Sequence, residues 1–284
     1  MRRLLVTGGT GFVGSRVVAL ARGWETHALF HRAAPPHGDR ARWTGVDLRD
    51  RDAVRRCVDA VRPEAVIHAA CSEAAPDGSA AIVPAARHLA EAARETGARL
   101  VHISTDQVFD GEAAPYDESA LPSPLHDYGR AKAESEAVVA SILPHASIVR
   151  TSIQYGVDPV DRATRWVLEA LRRGEIVRLF TDELRSATWV DDLAVSLLDL
   201  AARGHPGILH VAAPTAVSRW ELGTNLLRVL GVEPGPELEP GRVADSGLRR
   251  PRNLTLDTRR ARCVLAHPPR SLHGILRLLA APPG

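Results

Sequence analysis

The sequence predicts an α/β fold, a doubly wound parallel sheet followed by a smaller C-terminal lobe, and three observations carry it. Short apolar runs alternate with helical patterns through the first 155 residues, and a glycine triplet directly follows the first run. In addition, 284 residues with 45% hydrophobic and 25% charged side chains suffice for one large core with a lobe beside it. Strand and helix in alternation imply parallel strands with crossover helices on both faces.

Taken in order, residues 4–7, 26–30, 65–69, 100–103 and 147–149 read as strands, all but the second rich in apolar residues. Helical patterns lie between them near 12–22, 51–61, 79–96 and 127–142. After about residue 155 the rhythm loosens. Helices are expected near 160–173, 191–202, 218–230 and 270–280, with short strands near 176–180 and 208–212. Proline and glycine thicken between 233 and 241.

The glycines give the first strand its meaning. Gly8, Gly11 and Gly14 stand in Thr7-Gly8-Gly9-Thr10-Gly11-Phe12-Val13-Gly14, between a strand and a helix start. Without side chains the turn tightens, the backbone approaches a pyrophosphate, and the helix N-terminus offers its N–H groups to the anion. Residues 1–155 therefore read as a dinucleotide-binding, Rossmann-like core. Residues 156–284 read mainly as a substrate-binding lobe, with some segments returning to the core.

Cofactor choice is read at the end of the second strand, where an Asp or Glu would bond the adenosine ribose of NAD. His31 and Arg32 stand there instead, and Arg32 suits a 2′-phosphate. NADP(H) is thus preferred and NAD(H) admitted, although an exposed arginine in an arginine-rich chain accounts for the same residue. Asp47 and Leu48, after the next strand-like stretch, are candidates for the adenine amino group, with a helix cap at Asp47 or Asp50 as the alternative. Ala69 and Ala70, at the end of the 65–69 strand, complete the expected cofactor set.

Lys132 is the only lysine, so arginine supplies the other 35 of the 36 basic residues. A role that needs an amine is therefore sought at that position. Tyr128 lies four residues earlier, on the same face of a helix. With three tyrosines in 284 residues, chance gives the lone lysine that spacing about 1% of the time. A free phenol loses its proton near pH 10, and a close ammonium favours the phenolate. Lowering that value by three units takes roughly 4 kcal/mol, within reach of a neighbouring cation in a partly desolvated site. Thr105, where the fourth apolar run ends, is the candidate to polarise a carbonyl oxygen, with Ser104 as the structural alternative bonding the backbone.

Composition excludes several classes. The net charge of +2 carries no nucleic-acid footprint. Cysteines 57, 71 and 263 form no Cys-x-x-Cys pair and suit a reducing cytoplasm. The N-terminus has too few apolar residues for a signal peptide, and no run of 18 apolar residues suggests a membrane span. Twelve scattered histidines suggest no metal site.

Several stretches together resemble the extended short-chain dehydrogenase/reductases, and within them the dTDP-4-dehydrorhamnose reductase group. They are His102-Ile103-Ser104-Thr105-Asp106-Gln107-Val108-Phe109-Asp110-Gly111, Pro115-Tyr116-Asp117-Glu118, Tyr128-Gly129 with Lys132, Arg150-Thr151-Ser152, Asp192-Leu193-Ala194, Arg250-Pro251 and Leu256-Asp257. The resemblance implies that Thr105, Tyr128 and Lys132 are catalytic in reducing a sugar C4 ketone with NADPH, Lys132 also bonding the nicotinamide ribose. It further implies a nucleotide sugar as the substrate, with Cys71, Asp106, Gln107, Ile153 and Arg250 around it; a homodimer is admitted.

Three departures from the group's pattern, at Gln107, Ser72-Glu73 and Ile153, fall around the sugar. Gln107 replaces a tyrosine, Ser72-Glu73 an aromatic-hydroxyl pair, Ile153 a tryptophan, and Ile82 a helix asparagine. Residues 182–188 replace Asp-Gln-x-Gly-x-Pro-Thr with Asp182-Glu183-Leu184-Arg185-Ser186-Ala187-Thr188. Gln107 also argues against dehydration, since an amide cannot abstract a proton as the glutamate of related dehydratases does. A diphosphate grip is expected among Arg185, Arg249, Arg250 and Arg252, each of which is otherwise a solvated surface arginine. The alternatives are an epimerase that keeps its NAD bound and a non-catalytic regulator resembling the beta subunit of methionine adenosyltransferase.

Overall fold

A computed structural model describes residues 1–35, 41–70, 78–247 and 249–280. Its first half runs β1 (Arg2–Thr7), α1 (Phe12–Leu20), β2 (Trp24–Phe30), β3 (Arg42–Gly45), α2 (Arg51–Val61) and β4 (Ala65–His68). It continues through α3 (Ile82–Thr96), β5 (Arg99–Thr105), α4 (Asp127–Ile142) and β6 (Ser147–Thr151). Helix α3 begins three residues later than its sequence pattern suggests, because a 3-10 turn at Gly78–Ala81 precedes it.

The second half begins with β7 (Gln154–Tyr155), α5 (Arg162–Arg172), β8 (Val177–Phe180), β9 (Leu184–Arg185), β10 (Thr188–Trp189), α6 (Val190–Arg203) and β11 (Gly207–His210). It ends with β12 (Val217–Ser218), α7 (Arg219–Val229), β13 (Leu238–Gly241), β14 (Asn253–Leu254), α8 (Arg259–Val264) and α9 (Leu272–Ala280). The two-residue strands and α8 leave no periodic signal in the sequence; tertiary pairing, not local preference, makes them.

Seven strands form one sheet in the order β11-β6-β5-β4-β1-β2-β3, every neighbouring pair parallel. Its inner strands are sealed on both faces, as the period of two requires. Leu4, Val6, Ile67, Val101 and Val149 face α1 and α6 through Val17, Leu193 and Leu197. Leu5, Val66, Leu100 and Ile148 face α2, α3 and α4 through Val54, Val58, Leu89 and Val139. Each such aliphatic side chain contributes about 1.5–3 kcal/mol on burial.

Although they come late in the chain, β11 extends the central sheet and α6 packs on α1. Outside that sheet, α7, α9 and β10 enclose Trp189, Leu222, Leu226 and Ile275, while α5, α7, β8 and β13 enclose Val167, Leu179, Leu227 and Leu238. These clusters lie beyond the carboxyl end of β6, where open α/β sheets hold their ligands. Among the described residues no helix is long and apolar enough to cross a membrane.

Candidate active site

The cleft begins at the glycine turn. Gly8 has φ +67°, and a Cβ there would stand 2.7 Å from the Ala70 Cα. A Cβ on Gly14 would lie 2.1 Å from the Gly8 carbonyl oxygen, so the turn closes only without side chains. Gly11 is the N-cap of α1, with no side-chain cap and no acidic residue in the first turn. The positive end of α1 is thus left to an external anion. This cradle fits a dinucleotide pyrophosphate, with Thr10 inside the turn and Phe12, Val13, Ala69 and Ala70 continuing its wall.

At the other end of the turn, His31 and Arg32 are exposed just after β2. Asp47 accepts from the Arg49 guanidinium at 2.7 Å and stands 3.7 Å from His31 Nε2. Hydrogen bonds from Arg49 bring its carboxyl down to about 2. Of the two acids considered for capping, Asp50 caps α2 by accepting from Ala53 N, while Asp47 holds Arg49. The Leu48 carbonyl meets His88 Nδ1 at 3.0 Å. Asp47 thus stands between His31 and the Arg49 guanidinium, with the exposed Arg32 next to His31 in the chain.

Helix α4 brings Tyr128 and Lys132 to the end of β5. It can do so because residue 129 is glycine: a Cβ there would lie 2.2 Å from the Gln107 carbonyl oxygen. Lys132 is buried, and its Nζ donates to the Ile103 carbonyl at 2.5 Å. Thr105 Oγ1 accepts from Gln107 N at 3.2 Å. Thr105, Tyr128 and Lys132 line one cavity of about 990 Å³ together with Phe12, Val13, Ala69 and Ala70.

Two buried histidines stand close enough to Lys132 to feel its charge. Burial, with the lysine charge behind it, pushes the His68 imidazole down to about 3 and His102 well below its ordinary value. Both rings are therefore neutral neighbours. Ser104 does not bond the backbone, as expected of it, but donates to Glu136, whose carboxylate also takes Arg150. The Thr105 hydroxyl donates to the neighbouring Asp106 Oδ1 at 3.3 Å and lines the cavity.

The same cavity is lined further by Asp106, Gln107, Ser152, Ile153, Gln154 and Trp166. Burial pushes the Asp106 carboxyl up, although Ser152 donates to it at 2.5 Å and Arg185 Nε lies 4.0 Å away. Six arginines also line the cavity, Arg162, Arg178, Arg185, Arg219, Arg249 and Arg250, against three carboxylates, Asp106, Asp161 and Glu183. Arg185 and Arg250 share Glu183 at 3.0 and 3.3 Å. Arg252 is exposed and does not line the cavity. Arg219, half-buried at the start of α7, was not singled out by the sequence, where it is one arginine among 35. Cys71, Ser72 and Glu73 lie outside the described residues.

Comparison with known proteins gives the following matches. A family model described as RmlD substrate binding domain matches residues 1–281. A dTDP-4-keto-6-deoxy-D-glucose reductase of Streptomyces niveus is 37% identical over 243 residues, covering 82% of this chain and 80% of that protein. Methionine adenosyltransferase 2 subunit beta of Danio rerio is 31% identical over 278 residues, covering 91% and 84%. Among solved structures, a dTDP-4-dehydrorhamnose reductase of Bacillus anthracis in complex with NADP superposes with a TM-score of 0.83 at 22% identity, covering 98% of each chain. A hypothetical dTDP-4-dehydrorhamnose reductase of Sulfolobus tokodaii gives 0.80 at 27% identity, covering 94% and 96%.

Proposed function

The chain belongs to the RmlD substrate binding domain family, and from that premise we propose that it is an NADP(H)-dependent ketoreductase acting on the 4-keto group of a nucleotide-linked deoxysugar. The observation that supports the reading is that a glycine cradle, a Tyr–Lys pair one helical turn apart and a strand-end threonine open into one cavity. Its lining is rich in arginine, which suits a substrate bearing phosphates.

In this reading the α1 N-terminus and the turn from Gly8 to Gly14 hold the pyrophosphate, and His31 and Arg32 face the 2′-phosphate. When bound, NADPH supplies the hydride that attacks the carbonyl carbon. Thr105 donates to the carbonyl oxygen, polarising it, and Tyr128 gives that oxygen its proton as the alcohol forms. Lys132, aimed by the Ile103 carbonyl, stabilises the phenolate left on Tyr128 and bonds the nicotinamide ribose. Asp106, Gln107, Ile153 and Arg250 contact the sugar nucleotide. Free Cys57 and Cys263 and a need for NADPH suit a reducing cytoplasm.

The likeness to methionine adenosyltransferase 2 subunit beta supports a second reading, an NADP-binding regulatory subunit without turnover. One experiment separates them: NADPH oxidation followed with a panel of dTDP- and UDP-4-keto-6-deoxysugars, beside a Tyr128→Phe control. Turnover abolished in the control supports the reductase. NADPH binding with no oxidation on any sugar would sink it in favour of the regulator.

A further inference from the structure

We propose that Arg219 anchors the phosphoanion of the substrate, with Trp166 at the cavity mouth as the platform for its nucleobase. The inference rests on the reading of this cavity as the site of a nucleotide-linked ketone, and it assigns the part of the site that takes the nucleotide.

Charge bookkeeping within the cavity leads there. Arg185 and Arg250 each pair with a different oxygen of Glu183. Asp161 caps α5, one oxygen accepting from Thr164 N at 2.9 Å and the other from Thr164 Oγ1 at 2.7 Å. The oxygens of Asp106 meet the hydroxyls of Thr105 and Ser152. Each cavity carboxylate is thus engaged, while among the described residues Arg162, Arg219 and Arg249 make no side-chain hydrogen bond and no ion pair within 4 Å, and of these three only Arg219 is withdrawn from solvent.

Its position makes that isolation costly. Arg219 is the first residue of α7, where the helix dipole is positive and a cation is disfavoured. Burial, and then the like charges of Arg185 and Arg250 against Glu183 and Asp161, lower its pKa. A guanidinium held in such a place without a partner matches an anion that arrives from outside, since its fork binds two phosphate oxygens at once.

Trp166 adds the second surface. It lies one turn beyond Arg162 on α5, lines the same cavity and is 56% exposed. An exposed indole alone is ordinary. Sharing one cavity with that guanidinium, it offers a flat apolar face to a base whose phosphates Arg219 holds.

The test is titration of the NADP⁺-saturated protein with dTDP, UDP and inorganic pyrophosphate, by calorimetry. Arg219→Gln is expected to weaken all three by about 10- to 100-fold, the loss of charge-assisted hydrogen bonds, with NADP⁺ affinity unchanged and the thermal midpoint of the unliganded protein unchanged or raised. Arg219→Lys is expected to recover part of the loss, and Arg219→Met replaces the glutamine variant if that does not fold. Trp166→Leu is expected to weaken dTDP and UDP while sparing pyrophosphate. Unchanged nucleotide binding in Arg219→Gln, with sugar-nucleotide turnover intact, would overturn the inference and leave the reductase reading standing. Wild-type protein that binds none of the three and reduces only uncharged ketones would overturn both.

Discussion

Arg150 and Glu136 form a bidentate, fully buried ion pair, Nη2 to Oε2 at 2.7 Å, one helical turn beyond Lys132. Lys132 and Glu136 are four residues apart on α4, a spacing that invites an ion pair between them. The arginine takes the carboxylate instead, together with the Ser104 hydroxyl, and Lys132 turns to the Ile103 carbonyl. Arg150→Met would leave Glu136 as a buried charge without its partner. The expected cost is about 3–5 kcal/mol, read as a lower urea midpoint at an unchanged slope. A variant as stable as the parent would show that the pair is not what fixes α4 against β6.

Tyr128→Phe removes only the proton donor. The expected result is a fall in kcat of about 10²- to 10⁴-fold, the range for one positioned acid, with NADPH affinity unchanged in a binding titration. Turnover within twofold of the parent would exclude Tyr128 from the chemistry.

Gly129→Ala sets helix propensity against geometry. Alanine favours a helix interior by about 1 kcal/mol over glycine. Here its Cβ would stand 2.2 Å from the Gln107 carbonyl, so α4 or the 106–108 turn must move. A net destabilisation of about 1–3 kcal/mol is expected, with a loss of turnover larger than the loss of NADPH affinity, because Tyr128 is carried on the moved segment. A stabilised, active variant would refute the close approach.

The parallel sheet was legible because its inner strands are buried on both faces and so appear as apolar runs such as Leu4-Leu5-Val6 and Val66-Ile67. Tyr128 and Lys132 were legible because a fixed spacing on one helix puts them together and the lysine has no competitor. Arg219 was not, since nothing local distinguishes an unpaired half-buried guanidinium from a solvated one. The distinction depends on Glu183 and Asp161, which distant stretches of chain bring beside it. The partner of Glu136 was hidden for the same reason: Lys132 is near in sequence, whereas Arg150 arrives on the next strand.

Acid should unfold this protein through its buried histidines. Burial holds His68 at about 3 and His210 at about 4, and His102 well below its ordinary value. The unfolded chain takes up these protons near pH 6.5, the folded chain only well below that. Between those limits the unfolded state binds more protons, so stability falls as pH drops through 6.5, at ~1.4 kcal/mol per pH unit for each proton. Urea midpoints measured from pH 7.5 down to 5 should fall progressively, and His210→Leu should remove about one proton from the slope. A flat profile would show that these rings are not held neutral.

Arg32→Ala addresses cofactor choice where NADPH and NADH differ. The two share every group except the 2′-phosphate, so a residue that meets only that phosphate acts on one and not the other. Arg32 is exposed, just after β2 and beside His31, whose other neighbour Asp47 is an ionised carboxylate engaged by Arg49. Loss of a charge-assisted contact is expected to raise the Kd for NADPH about 10- to 100-fold and to leave NADH within about twofold. The NADPH contact should also weaken with added salt in the parent and lose most of that dependence in the variant, because an exposed ion pair is screened. Equal losses for the two cofactors would assign Arg32 to the fold of the β2 end and return the choice of cofactor to other residues.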